Sequence, residues 1–136
     1  MYENLTRLID AMETDTYGEM IFDTKSKGTL DDPIHMPYVH YTDVVDDLWH
    51  EIYAFSEGHP EYELMKYQSI LEKNGLKWDS ASMSGADVSS ADGQLVTALL
   101  MAATRAERFC DGALLDFCED GSILRWLKRL KEIDEG

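Results

Sequence analysis

QLVTALLMAATRA, residues 94–106, carries Leu95, Val96, Leu99, Leu100, Met101 and Ala103 and leaves no wide polar face. A helix that is apolar nearly all round is buried on several sides, so this segment is expected at the centre of the domain. Its neighbours in sequence supply the cover. Residues 43–57 set Val44, Val45, Leu48, Trp49, Ile52 and Phe55 on one side of a helix, at about 100° per residue. Thr42 stands ready as its N-cap, and Gly58 ends it. Pro60 then suits the first turn of a helix that runs to Asn74 and stops at Gly75, with Leu64, Tyr67, Ile70 and Leu71 as its apolar members.

Beyond the central segment, Gly112 interrupts and ALLDFCED makes a short helix closed by Gly121. Ser122 is then expected to cap ILRWLKRLKEID, where Ile123, Trp126, Leu127, Leu130 and Ile133 face inward and Arg125, Lys128 and Arg129 face out. At the other end of the chain, residues 4–13 put Leu5, Leu8, Ile9 and Met12 on one helical stripe. Between Gly18 and Tyr41 the pattern changes. EMIF at 19–22 and the residues at 38–41 read as short strands, while KSKGTLDDPIHMP between them excludes a continuous helix through Pro33 and Pro37. WDSASMSGADVSS, residues 78–90, reads as a serine-rich surface loop. Two capping boxes compete to start the central helix, Ser84 with Asp87 and Ser89 with Asp92. The fold class that results is mostly α. We expect a compact single-domain helical bundle over residues 1–136, with a small β-hairpin or irregular arm near residues 18–41.

The 136 residues include 27 acids against 12 bases, a formal net charge of −15. The imbalance lies in the first half, where residues 1–64 hold 15 acids and three bases, Arg7, Lys25 and Lys27. Direct binding to nucleic acid or to an anionic membrane is disfavoured there, and a basic protein surface is the natural complement. On the 43–57 helix the side opposite the apolar stripe carries Asp43, Asp46, Asp47, His50 and Glu57, with Glu51 at its edge, which makes an acidic outer ridge. No apolar run approaches the roughly 20 residues that span a bilayer. The first ten residues, MYENLTRLID, lack the basic start and apolar stretch of a secretion signal, so a cytoplasmic location is expected.

Chemistry-bearing motifs are sparse. Asp46 and His50 lie one turn apart, as do Asp43 and Asp47, but no metal-binding signature or third ligand accompanies them, and no metal or other cofactor is expected. Gly85, Gly93 and Gly112 do not make a phosphate cradle. Cys110 and Cys118 sit in apolar surroundings, outside any CxxC pair, and read as buried thiols. RAERFCDG, residues 105–112, sets two arginines and two acids against an apolar helix. Arg105, Glu107, Arg108 and Asp111 therefore form either a polar lock that fixes helix packing or an anion-binding or catalytic site.

RAERFCDGALL, followed after a short gap by EDGSILRWLKRLKEID, resembles an uncharacterised bacterial family, the domain-of-unknown-function 6508 family. The likeness is most specific over residues 92–134. It implies a compact helical fold and no activity, substrate or site residue. Three readings of function follow from the residues themselves. The first is a non-enzymatic acidic interaction protein that inhibits a basic nucleic-acid-handling partner by mimicking nucleic acid, in the manner of anti-CRISPR or anti-restriction proteins. The second is a small enzyme or ligand-binding module around Arg105, Glu107 and Arg108. The third is a homo-oligomer that joins the basic C-terminal helix to the acidic ridge.

Overall fold

The computed structural model describes residues 1–14, 16–21 and 38–136. The N-terminal stripe forms two short helices rather than one, α1 (Glu3–Thr6) and α2 (Ile9–Thr14). The break at residues 7–8 does not disturb the stripe, because Leu5, Leu8, Ile9 and Met12 are all buried. Two strands follow, β1 (Gly18–Ile21) and β2 (Tyr38–Tyr41), paired antiparallel with Gly18 opposite Tyr41 and Ile21 opposite Tyr38. Phe22 and the KSKGTLDDPIHMP segment, with Pro33 and Pro37, lie outside the described residues.

Helix α3 (Asp43–Gly58) buries Val44, Val45, Leu48, Ile52 and Phe55, and Trp49 is half-buried. Thr42 occupies its N-cap position in extended geometry but makes no capping bond. Its hydroxyl instead donates to the carbonyls of Thr16 (2.7 Å) and Tyr17 (3.1 Å), which ties the start of α3 to the chain entering β1. The next segment departs further from the expected single helix. It begins with two 3-10 turns, Pro60–Tyr62 and Leu64–Lys66, separated by Glu63 at φ 54°. A left-handed non-glycine residue costs on the order of 1–2 kcal/mol. Here it reverses the chain so that Leu64 enters the core, while the Gln94 amide donates to the Tyr62 carbonyl at 2.9 Å. Only then does α4 (Tyr67–Lys73) form, with Tyr67, Ile70 and Leu71 buried.

The serine-rich stretch contains a short helix, α5 (Ser80–Ser84), capped by Asp79, which accepts from the Ser82 N–H at 2.6 Å. Its fully buried Met83 anchors it. Neither capping box starts the central helix α6 (Gly93–Ala106). Asp92 is itself the cap and accepts from the Leu95 N–H at 2.9 Å. From Gly93 to Thr104 every residue of α6 except Gln94 is buried. The two polar side chains in that run are satisfied within the helix: Thr97 donates to the Gly93 carbonyl at 2.7 Å and Thr104 to the Leu100 carbonyl at 2.8 Å. Helices α3 and α4, the Leu64–Lys66 turn, α7 (Ala113–Glu119) and α8 (Ser122–Glu135) all pack on α6, so it is the axis of a mostly α domain.

Gly112 (φ 93°) and Gly121 (φ 85°) supply the left-handed turns into α7 and α8, a conformation glycine adopts without a Cβ penalty. Ser122 is the first residue of α8 rather than its cap, and Asp120 accepts its N–H at 2.8 Å. Ile123, Trp126, Leu127 and Leu130 are buried, and Ile133 is half-buried. The N-terminus closes onto α8, where Asp134 accepts from the Met1 ammonium (3.2 Å) and the Tyr2 N–H (2.9 Å). Tyr2 then runs inward, and its hydroxyl meets that of Tyr62 at 2.7 Å directly over Gly93. A Cβ on Gly93 would stand 1.7 Å from the Tyr2 hydroxyl oxygen.

Replacing Gly93 with alanine should therefore lower stability by about 1–3 kcal/mol through overpacking, measured by urea unfolding. In a Tyr2→Ala background the same change should cost little. An equal cost in both backgrounds would mean that Tyr2 does not impose the requirement for glycine.

Candidate functional site

The apolar stripe of α3 fixes which side of the helix faces outward. Asp43, Asp46, Asp47, His50 and Glu57 are all exposed on that side. Among the described residues none of the five takes part in an ion pair. Glu51, at the edge, differs: it is mostly covered and pairs with Arg7 at 3.1 Å. Asp43 and Asp46 stand in the first turn of the helix, where negative charge complements the helix dipole. The ridge thus projects carboxylates into solvent with nothing described in the chain opposing them.

The structure disperses the 105–112 set. Glu107 is the hub of one network. Its carboxylate accepts from the Tyr41 hydroxyl (2.5 Å), from the Gly112 N–H at both oxygens (3.1 Å each) and from the Leu114 N–H (3.0 Å). The Leu115 N–H in turn donates to the Tyr41 oxygen at 3.1 Å. One carboxylate and one phenol therefore satisfy the open N–H groups at the start of α7, and they pin β2 to the corner between α6 and α7. Burial, followed by the hydrogen bond to Glu107, pushes the Tyr41 phenol well above its ordinary range. Arg105 is half-buried beside Tyr53 and Tyr67, which strengthen its hold on its proton, and its Nε has no partner. Arg108 and Asp111 are exposed, and among the described residues no ion pair joins them. A lock centred on the arginines is thus replaced by one built on Glu107 and Tyr41. Sequence reasoning missed Tyr41 because it lies 66 residues away; the one local signal was a glutamate five residues before a glycine that opens a helix.

The model for a family of unknown function, DUF6508, matches residues 1–136. The chain belongs to that family. No match was found among curated proteins or among solved structures. The family match takes in the acidic first half and the strand pair as well as residues 92–134, so the α3 ridge lies within the DUF6508 domain.

The two thiols of this DUF6508 domain differ in exposure. α6 ends at Ala106, and Cys110, which lies beyond it, is exposed rather than buried as its apolar sequence context suggested. Cys118 is buried on α7, and burial, with the nearby acids Glu119, Asp120 and Glu107 adding to it, pushes its thiol up to about 12. Among the described residues no three of histidine, cysteine, aspartate and glutamate converge as a metal-holding group, and His35 lies outside those residues. Among them, too, no helix is long and apolar enough to cross a membrane.

Loss of the Glu107 carboxylate should leave the N-terminal amides of α7 without an acceptor. Glu107→Ala should cost about 2–3 kcal/mol in equilibrium unfolding, whereas Arg108→Ala should stay within about 0.5 kcal/mol. The reverse ranking would restore the arginine-centred lock. Thiol labelling at neutral pH, followed by mass spectrometry, should modify Cys110 readily and Cys118 only after denaturation. Comparable rates at the two positions would contradict the burial of α7.

Proposed function

We propose that this chain is a non-enzymatic acidic interaction protein whose α3 ridge docks on a basic protein surface. The observation that carries this reading is the exposure of Asp43, Asp46, Asp47, His50 and Glu57, with no ion pair to any of them among the described residues. Charges held apart from counter-ions on a rigid helix project a field into solvent and steer an oppositely charged partner at long range. Duplex DNA presents one negative charge about every 1.7 Å of its axis, so a surface that holds nucleic acid is the class of partner such a ridge suits. An inhibitor that competes with nucleic acid, of the anti-CRISPR or anti-restriction type, is the finer form of this proposal. Two free thiols fit action in a reducing compartment, and we place it in the cytoplasm.

Two features favour this reading over its rivals. The Glu107 carboxylate is occupied by four hydrogen-bond contacts from its own fold, which supports the polar lock over a ligand site at Arg105, Glu107 and Arg108. Three of the four cations on α8 are engaged at home, Lys131 being exposed without a partner among the described residues. Arg125 donates to the Ser84 carbonyl (2.6 Å), Lys128 pairs with Glu13 (3.1 Å), and Arg129 donates to the Ala91 carbonyl (3.0 Å). That supports a foreign partner for the ridge rather than α8 of a second copy.

Charge reversal tests the proposal. The triple variant Asp43→Lys, Asp46→Lys, Asp47→Lys should keep its helicity and cooperative unfolding, because all three side chains are exposed. Against a partner captured from the native host, its association rate should fall by about tenfold or more. Association of the unmodified chain should slow as salt rises and the Debye length shrinks from about 10 Å at 0.1 M to about 3 Å at 1 M. Nucleic acid should displace it. Wild-type association rate and salt dependence in the triple variant would reduce the ridge to a solvated face.

A further inference from the structure

A second surface, away from α3, combines an exposed aromatic ring with an apolar cleft and unopposed carboxylates. Phe109, just beyond the end of α6, is 73% exposed, more than any other large hydrophobic side chain among the described residues. It forms one wall of a cleft of about 320 Å³, with Trp78, Met83 and Phe117 and with Asp79 and Asp116 at the rim. That size lies at the low end of ligand-binding clefts and accommodates one bulky side chain. The wall is held in place: the Trp78 indole N–H donates to the Ala102 carbonyl at 3.0 Å, and its ring meets Tyr67 and Phe109 edge-on, with centroids 5.2 and 5.7 Å apart.

The cleft continues into an open hollow of about 580 Å³, because Ser80 and Asp116 line both; Glu119 and Asp120 line the hollow. No lysine or arginine lines either part, and none of the ridge residues of α3 does. Asp79 and Asp120 are used as caps within the fold. Asp116 and Glu119 are exposed and have no side-chain hydrogen bond or ion pair among the described residues. An exposed phenylalanine beside an apolar cleft gains free energy when covered, at roughly 25 cal/mol per Å² of apolar surface. Adjacent free carboxylates select what covers it. A second copy of this chain, at net charge −15, would bring like charge to the rim.

We infer that this groove binds a peptide segment of a partner protein in which one bulky apolar side chain is flanked by lysine or arginine. The apolar side chain enters between Trp78 and Phe109, and the flanking cations lie over Asp116 and Glu119. This mode of recognition is independent of the α3 ridge and would stand if the ridge proved inert.

The test uses three capped hexapeptides, KKLFKK, EELFEE and KKSSKK, titrated into the full chain by calorimetry, with amide chemical shifts to locate the site. KKLFKK should bind and shift the Trp78 indole signal, and the other two should bind at least about tenfold more weakly. Phe109→Ser and the double variant Asp116→Lys, Glu119→Lys alter exposed side chains only, and each should weaken KKLFKK by about tenfold. The α3 triple lysine variant should bind it as the unmodified chain does. No binding of KKLFKK at about 1 mM, equal binding of EELFEE, or loss of binding in the α3 variant but not in these two would each overturn the inference. A dimer in sedimentation that Phe109→Ser dissolves would assign the groove to a second copy instead and overturn it as well.

Discussion

A helix with no polar face can exist in water only if it is surrounded, and α6 imposes that condition on the whole chain. Its residues from Leu95 to Thr104 are all buried. Removing so much apolar surface from water is favourable, but it leaves no route by which a side chain between Leu95 and Thr104 can reach solvent. The surrounding elements are built to match. α3, α4 and α8 each bring one apolar stripe, while the N-terminal residues close the remaining gap through Tyr2 over Gly93. Most polar groups along the axis are satisfied locally, by the threonine hydroxyls turned back on the helix and by the Trp78 N–H on the Ala102 carbonyl, whereas Arg105 Nε and Trp126 Nε1 have no partner. Charge has nowhere to go but outward.

The corner beyond α6 shows the same constraint from the other side. The chain leaves the core at Ala106 and starts α7 within a few residues, so the first N–H groups of α7 need an acceptor in a partly buried place. Glu107 supplies it, and Tyr41 adds a donor and an acceptor from β2. The small sheet, otherwise a two-stranded ribbon of little independent stability, is thereby joined to the helical core. Thr42, immediately after it, ties the start of α3 to the carbonyls of Thr16 and Tyr17, and so helps set the direction in which the acidic ridge points.

Periodicity made most of this legible in the sequence. The stripes of α3, α6 and α8 repeat often enough that burial could be read from spacing, and the acidic ridge followed as the opposite side of α3. Capping was read less well. Asp92 caps α6 in place of the serines at 84 and 89, because in the Ser89–Asp92 pair either residue can serve as the cap; Asp79 caps α5, and Asp120, not a serine cap, accepts the first N–H of α8. The helix α5 was hidden by its length and its serines, with Met83 its one strong apolar signal. Neither the left-handed Glu63 nor the break between α1 and α2 falls on a glycine or proline that would mark it in the sequence. Of the 105–112 set, the polar character was visible but the partners were not. Glu107 bonds to Tyr41 across 66 residues, and Arg108 and Asp111, adjacent on paper, face solvent.

The outer surface that results is uneven in a way that matters for recognition. α3 offers carboxylates without apolar surface, whereas the cleft at Phe109 offers apolar surface with carboxylates beside it. Both rest on a core whose rigidity comes from α6, and that dependence can be measured directly. Native-state hydrogen exchange should show the amides from Val96 to Ala103 opening only with global unfolding, at the full stability of the domain, while α3 and α8 open at equal or lower free energy. If the α6 amides instead exchanged through a local opening below the free energy of α3 or α8, α6 would not be the axis on which the fold depends.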